Sequence, residues 1–348
     1  DTKGRIWISV GNHGIFLVDE QARLLERFYH NPENNKTISN NSITSIHEDN
    51  ASRIWLGTWQ KGVDIIDKYH RKFKHYQYEK GGNHLSHNIV LNIVEDKKGN
   101  LYIATYGGGL NYFDRENGSF KVYKHSADNE ASLSKNRILS LAFDDNDHLW
   151  IATFNGGVNI FNPKTKTFKH FLPSNSGISS RDIYDVINDG NGLMYCGTQG
   201  NGLCSYNVET GKWQIFRHIP GNDSTISGNH IICLLKISKN EIWVGTTNGL
   251  NRLKKAPSGK VYFEHFEHDP EDSASISNKF IYTIYEDHKK TIWVGTQNGL
   301  NRFMPEKKSF IRYGKNEGLP DNNIKSIIYD GYKYYWIGTN KGLVQFHK

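Results

Sequence analysis

The sequence of 348 residues contains no apolar run of the roughly 18 residues that a membrane-spanning helix needs. Its start, Asp1 to Gly4, lacks the basic and then apolar pattern of a secretion leader, so we expect any leader or anchor to lie outside this segment. Cys196, Cys204 and Cys233 form no CxxC pair, and an odd number argues against a disulfide framework. We predict that all three are thiols that fill apolar space.

Patterns that would indicate catalysis are also missing. The 16 histidines include no HExxH motif and no cluster with metal-ligand spacing, so we predict no metal and no other cofactor. Glycine-rich strings such as YGGGL (residues 106–110) open no helix and therefore cannot form a phosphate loop. Glu-Asp pairs such as Glu48-Asp49 recur at one place in several repeats, which is typical of turns rather than of a glycosidase acid pair. The sequence therefore predicts a non-catalytic chain.

What the sequence does contain is a motif that occurs eight times. Each copy has an apolar residue, Trp or Tyr, an apolar residue, a small residue, usually Thr, a short loop with Gly, and then an alternating apolar stretch. The aromatic positions are Trp7, Trp55, Tyr102, Trp150, Tyr195, Trp243, Trp293 and Trp336. The repeat length is therefore 43 to 50 residues, a period that indicates a repeat architecture.

Within one repeat the apolar residues alternate with period two, and the loops have hairpin length. Residues 87–125 show four such segments separated by turns, which we name strands A, B, C and D in chain order. Four-stranded antiparallel units at this spacing predict the blades of an all-β propeller. The aromatic residue of strand B is predicted to pack between blades, and the small residue two positions later to allow close approach of neighbouring sheets.

The number of blades is left open by the sequence. Six repeats are complete, over about residues 41–315, whereas the unit at 1–30 lacks strand A and the unit at 320–348 lacks strand D. We predict one propeller domain over residues 1–348 with its chain ends close together. Seven blades is the first expectation, and eight blades is the alternative because there are eight B–C hairpins.

Three phrases resemble the two-component regulator propeller repeat: IWVGTQNGLNRF, ISNNSITSIHEDNASRIWLGT and GLPDNNIKSIIYD. The resemblance covers essentially the whole chain and implies the periplasmic sensor region of a hybrid histidine kinase of Bacteroidetes. It further implies an oligosaccharide ligand released from polysaccharide breakdown, and as partners the rest of a membrane-spanning kinase with a β-sandwich and a second propeller. A homodimer is included among the expected partners.

The two faces of the propeller differ in charge. The B–C and D–A connections emerge at one end of every blade, which we call the upper face, and the A–B and C–D turns at the other, the lower face. Basic residues of the lower-face turns are Lys68, Arg71, Lys72, Lys97, Lys98, Lys164, Lys166, Lys254, Lys255, Lys289, Lys290, Lys307 and Lys308. No aromatic residues are interleaved with this charge, so we predict a solvated rim and no nucleic-acid partner.

Two aligned positions vary on the upper face. The first loop residue after strand B is aromatic in three consecutive repeats, Trp59, Tyr106 and Phe154. Such rings suit stacking on a sugar, and the alternative is that they fold back onto the next blade. The second position, immediately before strand A at the top of the central channel, together with the residue before it, supplies Arg137, Arg181, Asp182, His230 and Phe280.

These eight residues are the predicted ligand site. Arg137, Arg181, Asp182 and His230 could hydrogen-bond the hydroxyl or carboxylate groups of a ligand, whereas the alternative is that they pair with one another across the channel. The Asn that precedes the varied position in five repeats is predicted to be a turn residue. Other functions left open are a polysaccharide lyase or hydrolase using His230, Tyr106 and Arg181, and a protein-interaction propeller.

Overall fold

The computed structural model describes residues 1–34, 37–50, 52–66, 73–238, 240–256, 260–329 and 334–347. In these residues the strands form eight antiparallel sheets, each built from consecutive strands, and we number them as blades 1 to 8. Blades 1 and 8 have three strands each. Blade 1 consists of β1 Ile6–Val10, β2 Gly14–Val18 and β3 Leu24–Phe28, and blade 8 of β28 Ile324–Tyr329, β29 Tyr334–Thr339 and β30 Gly342–His347.

Blades 2 to 7 have four strands each, in the order A, B, C, D. Blade 2 consists of β4 Ile43–Glu48, β5 Ile54–Thr58, β6 Gly62–Ile66 and β7 Phe73–Tyr76. Blade 3 consists of β8 Val90–Glu95, β9 Leu101–Thr105, β10 Gly109–Asp114 and β11 Ser119–Tyr123. Blade 4 consists of β12 Ile138–Phe143, β13 Leu149–Thr153, β14 Val158–Asn162 and β15 Thr167–Phe171. Blade 5 consists of β16 Ile183–Asn188, β17 Leu193–Thr198, β18 Leu203–Asn207 and β19 Trp213–Phe216. Blade 6 consists of β20 Ile231–Ser238, β21 Glu241–Thr246, β22 Gly249–Lys255 and β23 Val261–Phe266. Blade 7 consists of β24 Ile281–Glu286, β25 Ile292–Thr296, β26 Gly299–Met304 and β27 Ser309–Tyr313.

The blades close into a ring. Each A strand from β4 to β24 contacts the A strand of the next blade, and β1 contacts both β4 and β29. Trp336 of blade 8 packs with Ile6, Ile8 and Val10 of blade 1, so the chain ends meet as predicted. The propeller of four-stranded blades is confirmed, and the number of blades is eight, the alternative to the first expectation of seven. The two terminal units do not combine their strands into one blade, and each forms a three-stranded sheet of its own.

The strand B aromatics fill the spaces between blades, as predicted. Trp55, Trp150, Trp243 and Trp293 are fully buried. The Glu-Asp pairs serve the turns that follow them: Asp49 accepts a hydrogen bond of 2.7 Å from the indole nitrogen of Trp55 and one of 2.9 Å from the backbone N–H of Arg53. The same indole contact recurs at Asp1–Trp7, Asp144–Trp150 and Asp287–Trp293. These carboxylates therefore have a structural role, since they satisfy buried donors.

Small residues of strand B allow neighbouring blades to approach closely, as predicted. A Cβ atom added to Gly245 would lie 2.8 Å from Cγ2 of Ile281, and one added to Gly295 would lie 2.7 Å from Cγ2 of Ile324. Both isoleucines are the first residue of the next blade's A strand. The space above each of these glycines is therefore filled by a β-branched side chain of the next blade.

The cysteines are free thiols, as predicted. Cys196 and Cys204 are fully buried in the apolar core between blades 4 and 5. Burial raises the pKa of Cys196 well above its ordinary value and also raises that of Cys204. Both side chains therefore act as small apolar groups.

Candidate ligand site at the upper mouth of the channel

The two varied positions of the upper face are neighbours in every repeat that carries an aromatic loop residue. The backbone N–H of Trp59 donates to the carbonyl of Ser42 at 2.9 Å, and that of Tyr106 donates to Ile89 at 3.0 Å. Phe154 donates in the same way to Arg137 at 2.9 Å. The loop after strand B and the residue before strand A therefore form one continuous rim around the channel.

Arg137 lies between two of the predicted aromatics. Its guanidinium carbon is 5.4 Å from the ring centre of Tyr106 in blade 3 and 5.9 Å from that of Phe154 in blade 4. Tyr106 and Arg137 also form an isolated antiparallel bridge between the two blades. Arg137 is exposed, and among the described residues no polar group bonds its side chain. Its N–H donors are thus held over two rings and face solvent.

Trp59 stands apart from this pair. Its side chain is 43% exposed and makes no ring contact within the described residues. Its carbonyl accepts a hydrogen bond of 2.7 Å from Nδ2 of Asn40, which fixes the loop. The three aromatics therefore present one open indole and, separately, a tyrosine and a phenylalanine around Arg137.

Asp182 and Arg181 hold the rim together through their own contacts. Oδ1 of Asp182 in blade 5 accepts a hydrogen bond of 2.8 Å from the backbone N–H of Asn155 in blade 4. The carbonyl of Arg181 accepts N–H groups of Gly156 and Gly157 at 3.0 and 2.8 Å, while its side chain is exposed. No ion pair joins Arg137 or Arg181 to Asp182 in the described part of the chain, so cross-channel pairing of these charges does not account for them.

His230 and Phe280 lie against tyrosines of the channel wall. The ring centre of His230 is 5.4 Å from that of Tyr184, and Nε2 of His230 is buried without a hydrogen-bond partner. Burial lowers the pKa of His230, so the neutral ring is favoured. Phe280 lies 4.8 Å from Tyr282, whose ring centre is 3.2 Å from Nζ of Lys325.

The tyrosines and Lys325 belong to a set that sequence reasoning missed. Every A strand from β4 to β28 has a β-bulge after its first residue, which leaves one extra residue unpaired. The extra residues are Thr44, Leu91, Leu139, Tyr184, Ile232, Tyr282 and Lys325. None of them is buried, although they lie on the innermost strand, so they line an open channel. Their signal in the sequence is that this position varies in chemical type, whereas the residue before it is always Ile or Val.

The asparagines before the varied position act as turn residues, as predicted. Oδ1 of Asn136 accepts the backbone N–H of His125 at 2.7 Å, and its carbonyl accepts the N–H of Gly109 in the preceding blade at 3.0 Å. The same side-chain contact is made by Asn41, Asn88, Asn229 and Asn322. Where Arg181 replaces Asn, only the carbonyl contact remains, and the side chain is free to point elsewhere.

Several of the predicted basic turns on the lower face are paired with acids. These pairs are Lys97–Asp147, Lys255–Asp189, Lys290–Glu286 and Lys308–Glu264. Lys68, Arg71 and Lys72 lie outside the described residues. The side chains of Lys97, Lys290 and Lys308 are 79%, 77% and 65% exposed, which supports the prediction of a solvated rim.

Among the described residues no hydrogen bond or ring contact joins His230, Tyr106 and Arg181 to one another. Tyr106 contacts Arg137, whereas His230 contacts Tyr184. Among the described residues there is also no group of three or more His, Cys, Asp or Glu that could hold a metal ion. None of the helices in the described part of the chain is long and apolar enough to cross a bilayer.

Asp185 is a half-buried residue on the A strand of blade 5. It accepts hydrogen bonds of 2.9 Å from Oγ of Ser140 in blade 4 and of 3.1 Å from the backbone N–H of Leu234 in blade 6. Burial raises the pKa of Asp185 to about 6, and these hydrogen bonds oppose the rise. Asp185 therefore links three blades at the centre of the ring, and its ionisation in the folded state lowers the free energy of unfolding.

This cost predicts a pH-dependent effect of Asp185→Asn. Because the folded pKa is above the unfolded value of 3.8, the stabilising contribution is full below pH 4 and is lost as pH rises through about 6. The variant does not ionise, so its stability relative to wild type should increase between pH 4 and 8, by up to about 3 kcal/mol. Urea unfolding at a series of pH values measures this difference. A difference that is flat with pH would contradict the assignment.

The ring of four-stranded sheets, with variable residues around one mouth of its channel, defines a β-propeller with a candidate ligand site. Five segments match the family model described as two component regulator propeller: residues 37–60, 84–107, 132–155, 275–298 and 318–341. Five of the eight repeats thus match the two-component regulator propeller model, which confirms the resemblance found in the sequence.

Similar proteins include a histidine kinase, an extracellular domain and a bacterial surface component. Over 173 residues, 47% of this chain, the sequence is 28% identical to Histidine kinase P4 of Formosa agariphila, of which the match covers 12%. A solved extracellular domain of a protein named as a hybrid two component system of B. thetaiotaomicron has a TM-score of 0.68 and 24% identity, covering 88% of this chain and 40% of its own. PorZ, a surface component of the type-IX secretion system of Porphyromonas gingivalis, has a TM-score of 0.65 and 18% identity, covering 99% and 51%.

The two structural matches show the fold alone, because their identity is low. The chain spans 12% of the histidine kinase and 40% and 51% of the two solved chains. The function of this chain must therefore be argued from its own site.

Proposed function

We propose that this chain is the extracytoplasmic sensor propeller of a hybrid two-component system and binds an oligosaccharide from polysaccharide breakdown. Five of the repeats match the two-component regulator propeller model, and one similar solved structure is an extracellular domain. Residues 1–348 act as one non-catalytic domain, in the periplasm, and occupancy of the propeller controls a histidine kinase in the remainder of the protein.

The observation that carries this proposal is the position of Arg137 between Tyr106 and Phe154. A sugar ring has an apolar face that stacks on aromatic side chains, and hydroxyl groups at its edge that accept hydrogen bonds. At this place two rings and five guanidinium donors meet on one rim, and no described protein group occupies the donors. The arrangement is complementary to a saccharide.

Other rim residues can extend the contact around the mouth. Tyr184, Phe280 and Tyr282 add polar and apolar surface further along the channel. Arg181 is exposed on the rim next to the Arg137 blade, where it can donate to a carboxylate in two parallel bonds. The site therefore accepts a ligand of more than one sugar unit.

Trp59→Ala and Tyr106→Ala test the stacking surface. Each substitution should weaken binding of an oligosaccharide by about 1 to 3 kcal/mol, on the scale of burying one such side chain. The melting temperature should hardly change, because the equivalent position is Gln199, Thr247 or Gln297 in other blades. Titration calorimetry and thermal unfolding measure the two quantities on each variant.

Gln297→Ala is the matched control, since it removes the equivalent loop side chain from a blade without an aromatic there. It should leave affinity at the wild-type value. If both aromatic variants lost stability and kept full affinity, the rings would be packing residues and the binding face would lie elsewhere.

A further inference from the structure

The upper mouth of the channel carries a second group of cationic and aromatic side chains, on the side of the ring opposite Arg137. Arg137 lies with Tyr106 and Phe154 at blades 3 and 4, whereas Tyr282 and Lys325 belong to blades 7 and 8. In a closed ring of eight blades, blades 7 and 8 are four places away from blades 3 and 4. The two groups therefore face each other across the channel.

The second group repeats the arrangement of the first, with one cation against aromatic rings. Nζ of Lys325 is 3.2 Å from the ring centre of Tyr282, and the ring centres of Tyr282 and Phe280 are 4.8 Å apart. Lys325 and Tyr282 are the bulge residues of neighbouring A strands, and Phe280 directly precedes the A strand of blade 7. Lys325 is exposed and forms no ion pair within the described residues, so its ammonium group is open to an anionic ligand.

The inner residues of the mouth have an unbalanced charge. These residues are the B–C loops, the two residues before each A strand and the bulge residues. Among the described ones the only acid is Asp182, and the lysines and arginines are Lys61, Arg137, Arg181, Lys279, Lys325 and Lys341. All six of these basic residues are exposed, and none forms an ion pair with a described residue. Charges of one sign around a channel mouth raise the local concentration of ions of the opposite sign.

Little acid compensates this charge. Oδ1 of Asp182 already accepts the backbone N–H of Asn155 at 2.8 Å. Lys341 differs from the other five cations, because hydrogen bonds from Asn323 and the charges of nearby lysines, including Lys341, lower the pKa of Asp321. Unpaired like charges repel one another and destabilise the free protein, so their concentration at one mouth indicates an anionic ligand.

We propose that Lys325, Tyr282 and Phe280 form a second subsite of this mouth. The ligand is an acidic oligosaccharide whose carboxylate or sulfate groups reach both Lys325 and Arg137, and this ligand class rests on the proposed function because it concerns the same mouth. In each subsite the cation binds an acid group, and the aromatic rings contact the apolar face of a sugar unit. A ligand that spans the two subsites gains affinity because its second contact is intramolecular.

Oligosaccharide ladders of defined length test the ligand class. Galacturonate, mannuronate and sulfated galactan oligomers, from single units to about hexamers, are titrated into the chain by calorimetry beside their neutral counterparts, the methyl esters or the desulfated forms. At least one acidic ladder should bind, and its neutral counterpart should bind at least about tenfold more weakly, because a charge-assisted contact is lost at each subsite. Affinity within that ladder should rise sharply at the length that first reaches both subsites. The uronate and sulfate ladders distinguish the two kinds of acid group.

Lys325→Gln tests the second subsite. It should weaken binding of the long acidic oligomers at least about tenfold, and the loss should grow with length, since short oligomers occupy the subsites separately. The melting temperature should stay near that of wild type, because Lys325 is exposed and has no ion-pair partner in the described part of the chain. Lys290→Gln makes the same charge change on the lower face, where the Lys290 side chain is 77% exposed, and should leave affinity unchanged.

The possible results separate this subsite from the proposed function. Equal binding of acidic and neutral ladders, or binding of neutral ladders alone, would overturn the acidic ligand class. Wild-type affinity of Lys325→Gln at every length would overturn the second subsite. In both cases a loss of binding in Arg137→Gln would leave the oligosaccharide sensor intact. If neither the acidic nor the neutral ladders bind, the proposed function fails together with this subsite.

Discussion

Replacing Arg115 by methionine should lower the free energy of unfolding by about 3 kcal/mol, the low end of the range for breaking a buried ion pair. The Arg115 side chain is 9% exposed, and its Nη1 lies 2.6 Å from Oδ2 of Asp49, which is fully buried. Its Nη2 contacts Glu95. Arg115 therefore joins the carboxylates of two neighbouring blades, and its loss leaves both carboxylates with less neighbouring positive charge.

Other partners limit the loss. Asp49 keeps its contact with Arg53 at 2.7 Å, and Glu95 keeps His47 at 3.4 Å. Burial would raise the pKa of Asp49, but hydrogen bonds from Trp55, Arg53 and Arg115 lower it overall. Stability from this lowered pKa is present above the unfolded value of 3.8 and is lost as pH falls through the folded pKa. The effect of Arg115→Met should accordingly shrink in acid.

Lys97→Met is the matched control on the same face. The Lys97–Asp147 pair is 2.7 Å long, but its side chains are 79% and 44% exposed. Breaking it should cost less than about 1 kcal/mol, because water screens exposed pairs. Chemical unfolding in urea compares the two variants at pH 7. Equal losses in both would contradict the assigned role of the buried arginine.

Replacing Arg137 by glutamine should weaken oligosaccharide binding by about 2 kcal/mol, which is about thirtyfold in Kd. The substitution removes donors that are held over Tyr106 and Phe154 and are bonded by no described group. The melting temperature should change little, because the Arg137 side chain is exposed and its carbonyl contact to Phe154 is retained. Titration calorimetry on folded variant protein measures the loss.

Salt distinguishes two kinds of ligand at Arg137. A neutral oligosaccharide should bind Arg137 through hydrogen bonds, and its affinity should be nearly the same at low and high ionic strength. A uronic-acid ligand should lose affinity steeply with salt. Lys341→Gln, a charge change on an upper-face loop of blade 8, is the control and should leave affinity unchanged. A thirtyfold loss in this control too would show that general charge, rather than Arg137, determines binding.

The blades could be predicted because their chemistry repeats. Trp55, Trp150 and Trp293 recur with an Asp six residues before them, and the structure shows each pair in one hydrogen bond. Repetition of this kind reports local packing, which depends on neighbours close in sequence. The number of blades depends instead on how the terminal units meet, and each of them keeps a sheet of its own.

The residues of the rim could be predicted only in part. Alignment of the repeats identified Arg137 and the aromatic positions, since each breaks a regular pattern. It did not show that Arg137 lies between Tyr106 and Phe154, because that contact joins blade 3 to blade 4, and an alignment of repeats does not show how neighbouring blades pack. Tyr184 and Tyr282 were missed because the β-bulge that turns them toward the channel leaves no mark in period-two reasoning.

We propose that the upper mouth of the channel binds an oligosaccharide at Arg137 and its two neighbouring rings. The most direct measurement is titration calorimetry of the 348-residue chain against a panel of neutral and uronic-acid oligosaccharides, repeated with Arg137→Gln and Tyr106→Ala. We expect saturable binding of at least one member of the panel, weakened in both variants. Absence of binding across the panel, or equal affinity in wild type and both variants, would contradict the claim.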